Sequence, residues 1–221
     1  MYINNEHISK YGAKLLDYTV GGGSLENNYF ANGPMIKLFS QKPGCKKLTI
    51  TLTFEAADRR DTTRQVSRLT ALFQGQNELL LPDRFYYTSI LEGIGDTTQL
   101  MPTWFEVPFS FLCIQHDELQ TVTMTSPGNY YAGGTMETGC IWEIISTVAR
   151  TNFKINGITI KRLVANRPFI IDGIHSKVIE DSGNAFQQTD LIDFPKTVPG
   201  KNAMTWSHAA TVLVKFYPTY I

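Results

Sequence analysis

The stretch from Lys46 to Gln76 constrains the fold most, because one strand and one helix are clear in it. Apolar residues alternate with threonines from Leu48 to Phe54, which is the period of a strand buried on one face. After a charged connection, apolar side chains recur as a single helical stripe made of Val66, Leu69, Leu72 and Phe73. Thr62, with Gln65 three residues later, has capping-box spacing and predicts the helix start. Gly75 then fits the left-handed residue that ends a helix.

The rest of the chain must be organised around this helix, because no other amphipathic helix of comparable length is present. A second long alternating strand runs from Phe105 to Cys113. Pro108 lies on its opposite face and cannot donate a hydrogen bond, so an edge position or a bulge is expected there. The alternation weakens around His116–Glu118, which predicts a boundary between a domain of residues 1–118 and a domain of residues 119–221.

The second half has a pattern of strands and turns alone. Asn156–Gly157 is a preferred two-residue hairpin turn because both positions require positive φ. That turn sets Ile155 opposite Ile158 and Phe153 opposite Ile160, all on one face. Asp172–Gly173 is expected to repeat the device. Strands every 8–12 residues with such turns predict a β-sandwich. The fold class is therefore mostly β, with an N-terminal antiparallel β-sandwich or split barrel carrying one packed α-helix.

Composition excludes several classes of protein. The 221 residues are 43% hydrophobic and 18% charged, which is typical of a globular chain with a substantial core. Twenty basic and twenty acidic residues cancel, which argues against nucleic-acid binding through bulk positive charge. Three widely spaced cysteines indicate reduced, structural thiols. We expect the protein to be synthesised in the cytoplasm and not to insert into a membrane, because neither a signal peptide nor a long apolar run is present.

No pattern of catalytic residues is present, so no catalytic, cofactor or metal site is expected. The four histidines are scattered and have no metal-ligand spacing. Aromatic residues of the second half suggest a platform for a sugar, with Trp142 and Trp206 as its candidate residues. A core role is the favoured interpretation of both tryptophans, because a sandwich needs large buried side chains.

The segment Leu25–Cys45 is the candidate functional element. It contains two turn signals, Asn32–Pro34 and Lys42–Gly44, on either side of Met35–Phe39, which predict an exposed hairpin or arm. Its large apolar side chains are Leu25, Tyr29, Phe30, Met35, Ile36, Leu38 and Phe39. Such side chains on an exposed segment usually mark a contact, so we expect an inter-subunit arm. An ordinary surface loop, or two strands folded back on their own sandwich, remain as alternatives.

An ordered set of motifs in the second half resembles one family. The set is Lys154–Ile160, Phe169–Gly173, Asp193-Phe-Pro, Pro199–Asn202 and the final Phe216–Ile221. In this order they resemble the C-terminal half of siphophage distal tail proteins. The first half, with its strand, its Thr62–Gln74 helix and its Phe105–Cys113 strand, looks like the tail-tube-type domain of the same family. The resemblance covers nearly the whole chain, although each motif alone is only turn chemistry.

The resemblance implies a structural protein of the tail tip of a phage or prophage whose host is of Gram-positive type. The first domain would form a homo-hexameric ring that continues the tail tube, and the second would be a galectin-like sandwich on the outside. The implied partners are the tail tube protein, the tail-associated hub protein and the tape-measure protein. DNA would pass through the lumen without being read. The virion would be assembled in the host bacterial cytoplasm.

A carbohydrate-binding module for adhesion to the host cell wall is the alternative function. The galectin sugar signature is His-x-Asn-Pro-Arg followed by Trp and Glu. Trp142–Glu143 occurs here without the preceding motif, so the resemblance assigns no sugar site to any residue.

Overall fold

The computed structural model describes residues 1–221, and the chain divides into two compact units. The first unit comprises Met1–Asp117 together with Tyr220–Ile221, and the second comprises Glu118–Thr219. The second unit is therefore inserted into the chain of the first. The independent folding of the two parts stays a prediction. No helix has the length and apolar character needed to cross a membrane.

The first unit contains ten strands, a single α-helix and one short 3-10 helix, Ile8–Tyr11. The strands are β1 (Tyr2–Ile3), β2 (Glu6–His7), β3 (Ala13–Val20), β4 (Leu25–Asn32), β5 (Met35–Pro43), β6 (Lys46–Glu55), β7 (Gln76–Leu80), β8 (Tyr86–Ile94), β9 (Thr98–Met101) and β10 (Trp104–His116). The helix is α1 (Arg59–Leu72). The main sheet has the order β2-β1-β7-β8-β10-β6-β3, with β9 beside β10. Tyr220, in the two-residue strand β22 (Thr219–Tyr220), also returns to β10.

One face of this sheet and the helix form the core of the first unit. The predicted alternation of β6 is confirmed, since Leu48, Ile50, Leu52 and Phe54 are all fully buried. The predicted helical stripe also packs there. Leu69 and Phe73 are buried in the same cluster, with Val66 and Leu72 at its margin. The Phe73 ring lies 5.0 Å from the Phe111 ring and 5.7 Å from the Phe109 ring, measured between centroids.

The predicted start of the helix was wrong by one turn. Asp58 is the N-cap, and its carboxylate accepts a hydrogen bond from the Asp61 backbone N–H at 2.8 Å. Thr62 lies inside the helix, where its hydroxyl donates to the Asp58 carbonyl. Aspartate is at least as favourable as threonine at the N-cap. The helix therefore begins after Asp58, four residues before the start that the capping-box spacing of Thr62 and Gln65 predicts. Gly75 does have a left-handed φ of +80°.

Pro108 was expected at an edge or a bulge, but β10 is a central strand. It pairs with β6 along Trp104–Cys113 and with β8 along Phe109–His116. Pro108 is tolerated because it faces the gap between β8 and β9, where its carbonyl accepts a hydrogen bond from the Gly95 N–H at 2.8 Å. The register shift with β8 comes two residues later, between Ser110 and Phe111.

The second unit is built from three antiparallel sheets around one core. Its strands are β11 (Gln120–Met124), β12 (Gly128–Ala132), β13 (Thr138–Ile145), β14 (Arg150–Ile155), β15 (Ile158–Leu163), β16 (Pro168–Asp172), β17 (Lys177–Glu180), β18 (Gly183–Asn184), β19 (Lys196–Thr197), β20 (Gly200–Met204) and β21 (Thr211–Phe216). A 3-10 turn spans Phe186–Gln188. The large sheet has the order β11-β21-β13-β16-β17-β18, with β19 beside β13. The pairs β12-β20 and β14-β15 complete the unit and contribute to the same core.

The hairpin turn at Asn156–Gly157 is confirmed in full. Ile155 pairs with Ile158 and Phe153 with Ile160, and both turn residues have positive φ. The two-residue turn expected at Asp172–Gly173 was wrong, because Asp172 pairs with Lys177 and leaves a four-residue loop. The Asp172 carboxylate holds this loop by accepting hydrogen bonds from two backbone N–H groups, those of Ile174 and His175, at 2.9 Å. The predicted mostly β fold class, with one packed helix in the first part, is confirmed.

Candidate functional site: an exposed hairpin arm

The segment between β3 and β6 is a two-stranded hairpin, which we call the arm (Leu25–Pro43). Its strands β4 and β5 pair only with each other. Asn32 pairs with Met35, so Gly33 and Pro34 form a two-residue turn. Gly33 has a φ of +55°, and proline fixes φ near −65°, which is the pairing that a type II′ hairpin turn requires. The local sequence therefore explains the hairpin directly.

Glycines stand at the base of the arm, where its two strands leave the main sheet side by side. The Gly44 N–H donates a hydrogen bond to the Ser24 carbonyl at 2.8 Å, which closes the base of the hairpin. A Cβ at Gly44 would lie 2.2 Å from the Ser24 hydroxyl oxygen, so a larger residue would require the Ser24 side chain to move. At Gly23 a Cβ would lie 2.3 Å from the Ile221 side chain. The arm thus has a defined base rather than a loose attachment.

All side chains of β4 and β5 are exposed. The large apolar ones include Met35 and Ile36, which are 72% and 73% accessible. The seven residues singled out from the sequence all lie on the arm and are all exposed: Leu25, Tyr29, Phe30, Met35, Ile36, Leu38 and Phe39. Burying apolar surface is worth roughly 25 cal/mol per Å², so such a concentration of uncovered apolar side chains favours association.

The strand register gives the arm two chemically different faces. Tyr29 pairs with Leu38 and Ala31 with Ile36, which makes the outer half of one face continuously apolar. On the other face Phe30 pairs with Lys37. The Lys37 ammonium lies 5.7 Å from the centroid of the Phe39 ring, so that ring belongs to the cationic face. One face is suited to an apolar surface and the other to a mixed one.

The ionisable groups of the chain do not converge on a catalytic arrangement. His175 Nδ1 lies 2.8 Å from the Asp172 carboxylate, on the loop described above, and acts in holding that loop. Burial raises the pKa of the Cys113 and Cys140 thiols to about 12, so both stay protonated and unreactive at neutral pH. No group of three histidine, cysteine or acidic side chains is placed to hold a metal ion.

The two candidate sugar-platform residues do not form one exposed surface. Trp142 is only 5% accessible and belongs to the core of the second unit. Trp206 is half-buried and packs against the same core. The edge of Trp142 lines an open cavity of about 460 Å³ together with Asn156 and Asp190. Tyr131, by contrast, is 71% accessible. Sugar binding by this unit stays an untested alternative.

Sequence reasoning overlooked a second exposed feature of the first unit. Helix α1 carries four arginines, Arg59, Arg60, Arg64 and Arg68, and all of them are exposed. The four-residue spacing of Arg60, Arg64 and Arg68 was visible in the sequence. Whether acidic partners neutralise them depends on the tertiary structure, which the spacing alone does not reveal.

The two units define a fold found in phage tail proteins, namely a helix-bearing β unit into which a β-sandwich is inserted. The chain is similar to the crystal structure of the SPP1 Dit (gp 19.1) protein, with a TM-score of 0.76 and 12% sequence identity. The match covers 98% of this chain and 97% of that one. That protein is described as a paradigm of hub adsorption apparatus in Gram-positive infecting phages.

Two phage P2 baseplate structures are more distant neighbours. The activated baseplate with calcium gives a TM-score of 0.51 at 9% identity, covering 94% of this chain and 91% of that one. The activated baseplate with strontium gives 0.50 at 11% identity, covering 97% and 93%. No protein-family model matches the chain, and no curated protein matches it. The resemblance to distal tail proteins expected from the sequence is confirmed at the level of the fold.

Proposed function

We propose that this chain is a structural protein of the tail tip of a phage or prophage. The observation that carries the proposal is the similarity to SPP1 Dit over nearly the full length of both chains. At 12% identity the shared feature is the fold rather than any set of residues. A structural role also accounts for a chain whose most distinctive surface is an apolar arm.

Within that role, six copies form a closed ring that joins the tail tube to the tail-associated hub. The first unit makes the ring, and the second, a galectin-like sandwich, decorates its outside. The tail tube protein, the hub protein and the tape-measure protein are its partners, and DNA passes through the lumen without sequence recognition. Assembly takes place in the host bacterial cytoplasm. A ring of this kind needs two different complementary surfaces on each copy, since its contacts are heterologous.

The arm is the first of these surfaces. Its outer half exposes Tyr29, Leu38 and Ile36 on one continuous face. A two-stranded hairpin is only marginally stable by itself in water, so a partner surface is needed to hold it. In the ring the arm lies against a neighbouring copy and buries this face.

The mass of the full chain in solution tests the proposal. Light scattering across a concentration series should give a species six times the 24.9 kDa of the chain, and electron microscopy should show closed rings. A monomer at every concentration that binds cell-wall polysaccharide would instead identify a carbohydrate-binding module. The polysaccharide control is the same chain with Tyr131→Ala, because Tyr131 is the most exposed aromatic residue of the second unit.

A further inference from the structure

Helix α1 presents a row of arginines to solvent on the side away from its buried stripe. Arg60, Arg64 and Arg68 follow one another at four-residue intervals, and we call them the arginine ridge. Residues four apart lie on the same face of a helix, so the three guanidinium groups share one surface. All three are exposed, and none of them makes a salt bridge or a side-chain hydrogen bond.

The ridge lowers the stability of the helix in an isolated chain, and its positive charge is not balanced by acidic residues of the same helix. Like charges four residues apart destabilise a helix, which gives the spacing no benefit in a free monomer. The helix has four arginines and one carboxylate, that of Asp61, so its formal charge is +3. Because the whole chain has a net charge of zero, the remainder carries −3. The positive charge is therefore concentrated locally against an acidic background.

A matching set of carboxylates lies around the end of β8 and the start of β9. Glu92, Asp96 and Glu106 form no salt bridge and no side-chain hydrogen bond, and we call them the acidic strip. They flank the part of β10 between Glu106 and Ser110, because Glu106 pairs with Thr98 and Ser110 pairs with Gly93.

The two sets have similar lengths, and Glu106 of the strip faces away from the helix that carries the ridge. The arginine ridge spans eight residues of helix, about 12 Å at 1.5 Å per residue. Glu92 and Asp96 of the strip are four residues apart, about 13 Å of extended chain, and Asp96 lies just beyond the end of β8. Glu106 alternates with Phe105 and Val107, whose side chains are buried on the helix side of the sheet, so Glu106 faces the opposite side. The ridge and Glu106 of one copy therefore lie on opposite sides of the sheet, and no residue of the strip forms a salt bridge within its own copy.

We propose that the arginine ridge of one copy docks on the acidic strip of a second copy of this chain. The proposal rests on the proposed ring, for which it supplies a polar contact in addition to the apolar arm. Arginine suits the role because its guanidinium group binds a carboxylate through two parallel hydrogen bonds. A nucleic-acid partner fits less well, because the chain is neutral and the start of the helix carries the carboxylates of Asp58 and Asp61.

Charge reversal of the full-length chain tests the proposal. The ridge variant carries Arg60→Glu, Arg64→Glu and Arg68→Glu, and the strip variant carries Glu92→Lys, Asp96→Lys and Glu106→Lys. Each variant alone should associate with itself at least about tenfold more weakly than the wild type, since like charges then face each other across the contact. The association of the wild type should also weaken as salt is raised.

A mixture of the two variants gives the decisive measurement. A reversed ridge is complementary to a reversed strip, and the unchanged ridge of one variant is complementary to the unchanged strip of the other. An equimolar mixture should therefore regain wild-type assembly with the two variants alternating, which native mass spectrometry can count. Recovery in the mixture also shows that both variants are folded. A second pair, with the ridge arginines changed to glutamine and the strip acids to amides, serves if a reversal variant does not fold.

A matched control carries the same change in charge on the second unit, with Lys154→Glu, Lys177→Glu and Lys201→Glu, all at exposed positions. It should assemble like the wild type. If the ridge variant forms rings as the wild type does, the docking proposal is wrong and the proposed ring still stands. Loss of binding to duplex DNA by that variant, with assembly unchanged, would assign the ridge to nucleic acid instead. A wild type that stays monomeric overturns the ring, and the docking with it.

Discussion

The Tyr220 hydroxyl donates a 2.5 Å hydrogen bond to the Asp117 carboxylate, joining residues 103 positions apart. Asp117 is the last residue of the first unit before the second begins, and Tyr220 is the first residue after the second ends. The bond therefore ties together the two points at which the inserted unit leaves and rejoins the first. The Tyr220 ring also packs edge-on against Phe85, with 5.3 Å between centroids.

Tyr220→Phe should lower the free energy of unfolding of the first unit by about 1–2 kcal/mol, because it removes a hydrogen bond to a charged acceptor and keeps the ring. Chemical denaturation followed by circular dichroism measures the change. Tyr131→Phe is the control, since that exposed hydroxyl should contribute less than about 0.5 kcal/mol. Equal stabilities for Tyr220→Phe and wild type would show that the bond contributes nothing in water.

The same bond predicts a dependence on alkaline pH. The hydrogen bond to Asp117, followed by burial, raises the pKa of Tyr220 from 10.0 to about 12. Because the pKa is higher in the folded state, the contribution is fully present below about pH 10 and is lost as the pH rises toward 12. The difference in melting temperature between wild type and Tyr220→Phe should therefore shrink over this range. A difference that grows with pH would contradict the assigned direction.

Phe73→Ala should destabilise the first unit by about 3–5 kcal/mol, because it empties a buried aromatic site between the helix and the sheet. Phe73 contacts the rings of Phe109 and Phe111, so the cavity would form between the helix and β10. Phe30→Ala on the arm is the matched control and should cost the monomer less than about 1 kcal/mol. Urea denaturation of both variants makes the comparison, and a small effect at Phe73 would place the stripe outside the core.

Residues 118–219 expressed alone should fold into a stable β-sandwich. The unit has its own core, and the hydrogen bonds of its hairpin at Asn156 are internal, including one from the Thr205 N–H to the Asn156 side chain at 2.7 Å. A cooperative thermal melt with a β-type circular dichroism spectrum would support independent folding. An insoluble or unfolded fragment would mean that the insertion depends on the first unit, and the boundary proposed near residue 118 would be wrong.

Local chemistry explains which features of the fold were predictable from the sequence. The Asn156–Gly157 turn and the β6 alternation depend on a few neighbouring residues, and both are confirmed. The edge position predicted for Pro108 was wrong. A proline fits in the central strand β10 because neither β8 nor β9 pairs with it at that position, and the sequence around Pro108 does not show where those strands end. The loop at Asp172 was missed because a buried carboxylate replaces a tight turn by binding backbone N–H groups.

The candidate site was predictable in part for the same reason. The exposed hairpin follows from turn residues and composition, so the arm could be proposed before its structure was known. The arginine ridge could not be, because the spacing of its residues does not show whether they form salt bridges in three dimensions, and none of them does. The two chemically different faces of the arm also required the bulge at Phe39, which shifts the register between Asn28 and Tyr29.

Removal of the arm should abolish assembly and leave a folded monomer. The Ser24 carbonyl and the Gly44 N–H are already 2.8 Å apart, so Leu25–Pro43 can be replaced by an Asn-Gly turn without straining β3 or β6. The first-unit core contains no arm residue, so the thermal stability of the shortened monomer should be close to that of the wild-type monomer. Light scattering and electron microscopy should then find no rings.

Two point variants separate the faces of the arm in the same assay. Leu38→Ser with Ile36→Ser removes the apolar face and should weaken assembly as strongly as the deletion, because burial of that face drives the contact. Lys37→Ser with Phe30→Ser alters the opposite face and should have a smaller effect. Rings that form normally from the deletion would rule out an inter-subunit arm. If the deletion variant is unfolded, β4 and β5 are instead needed for the fold of their own chain.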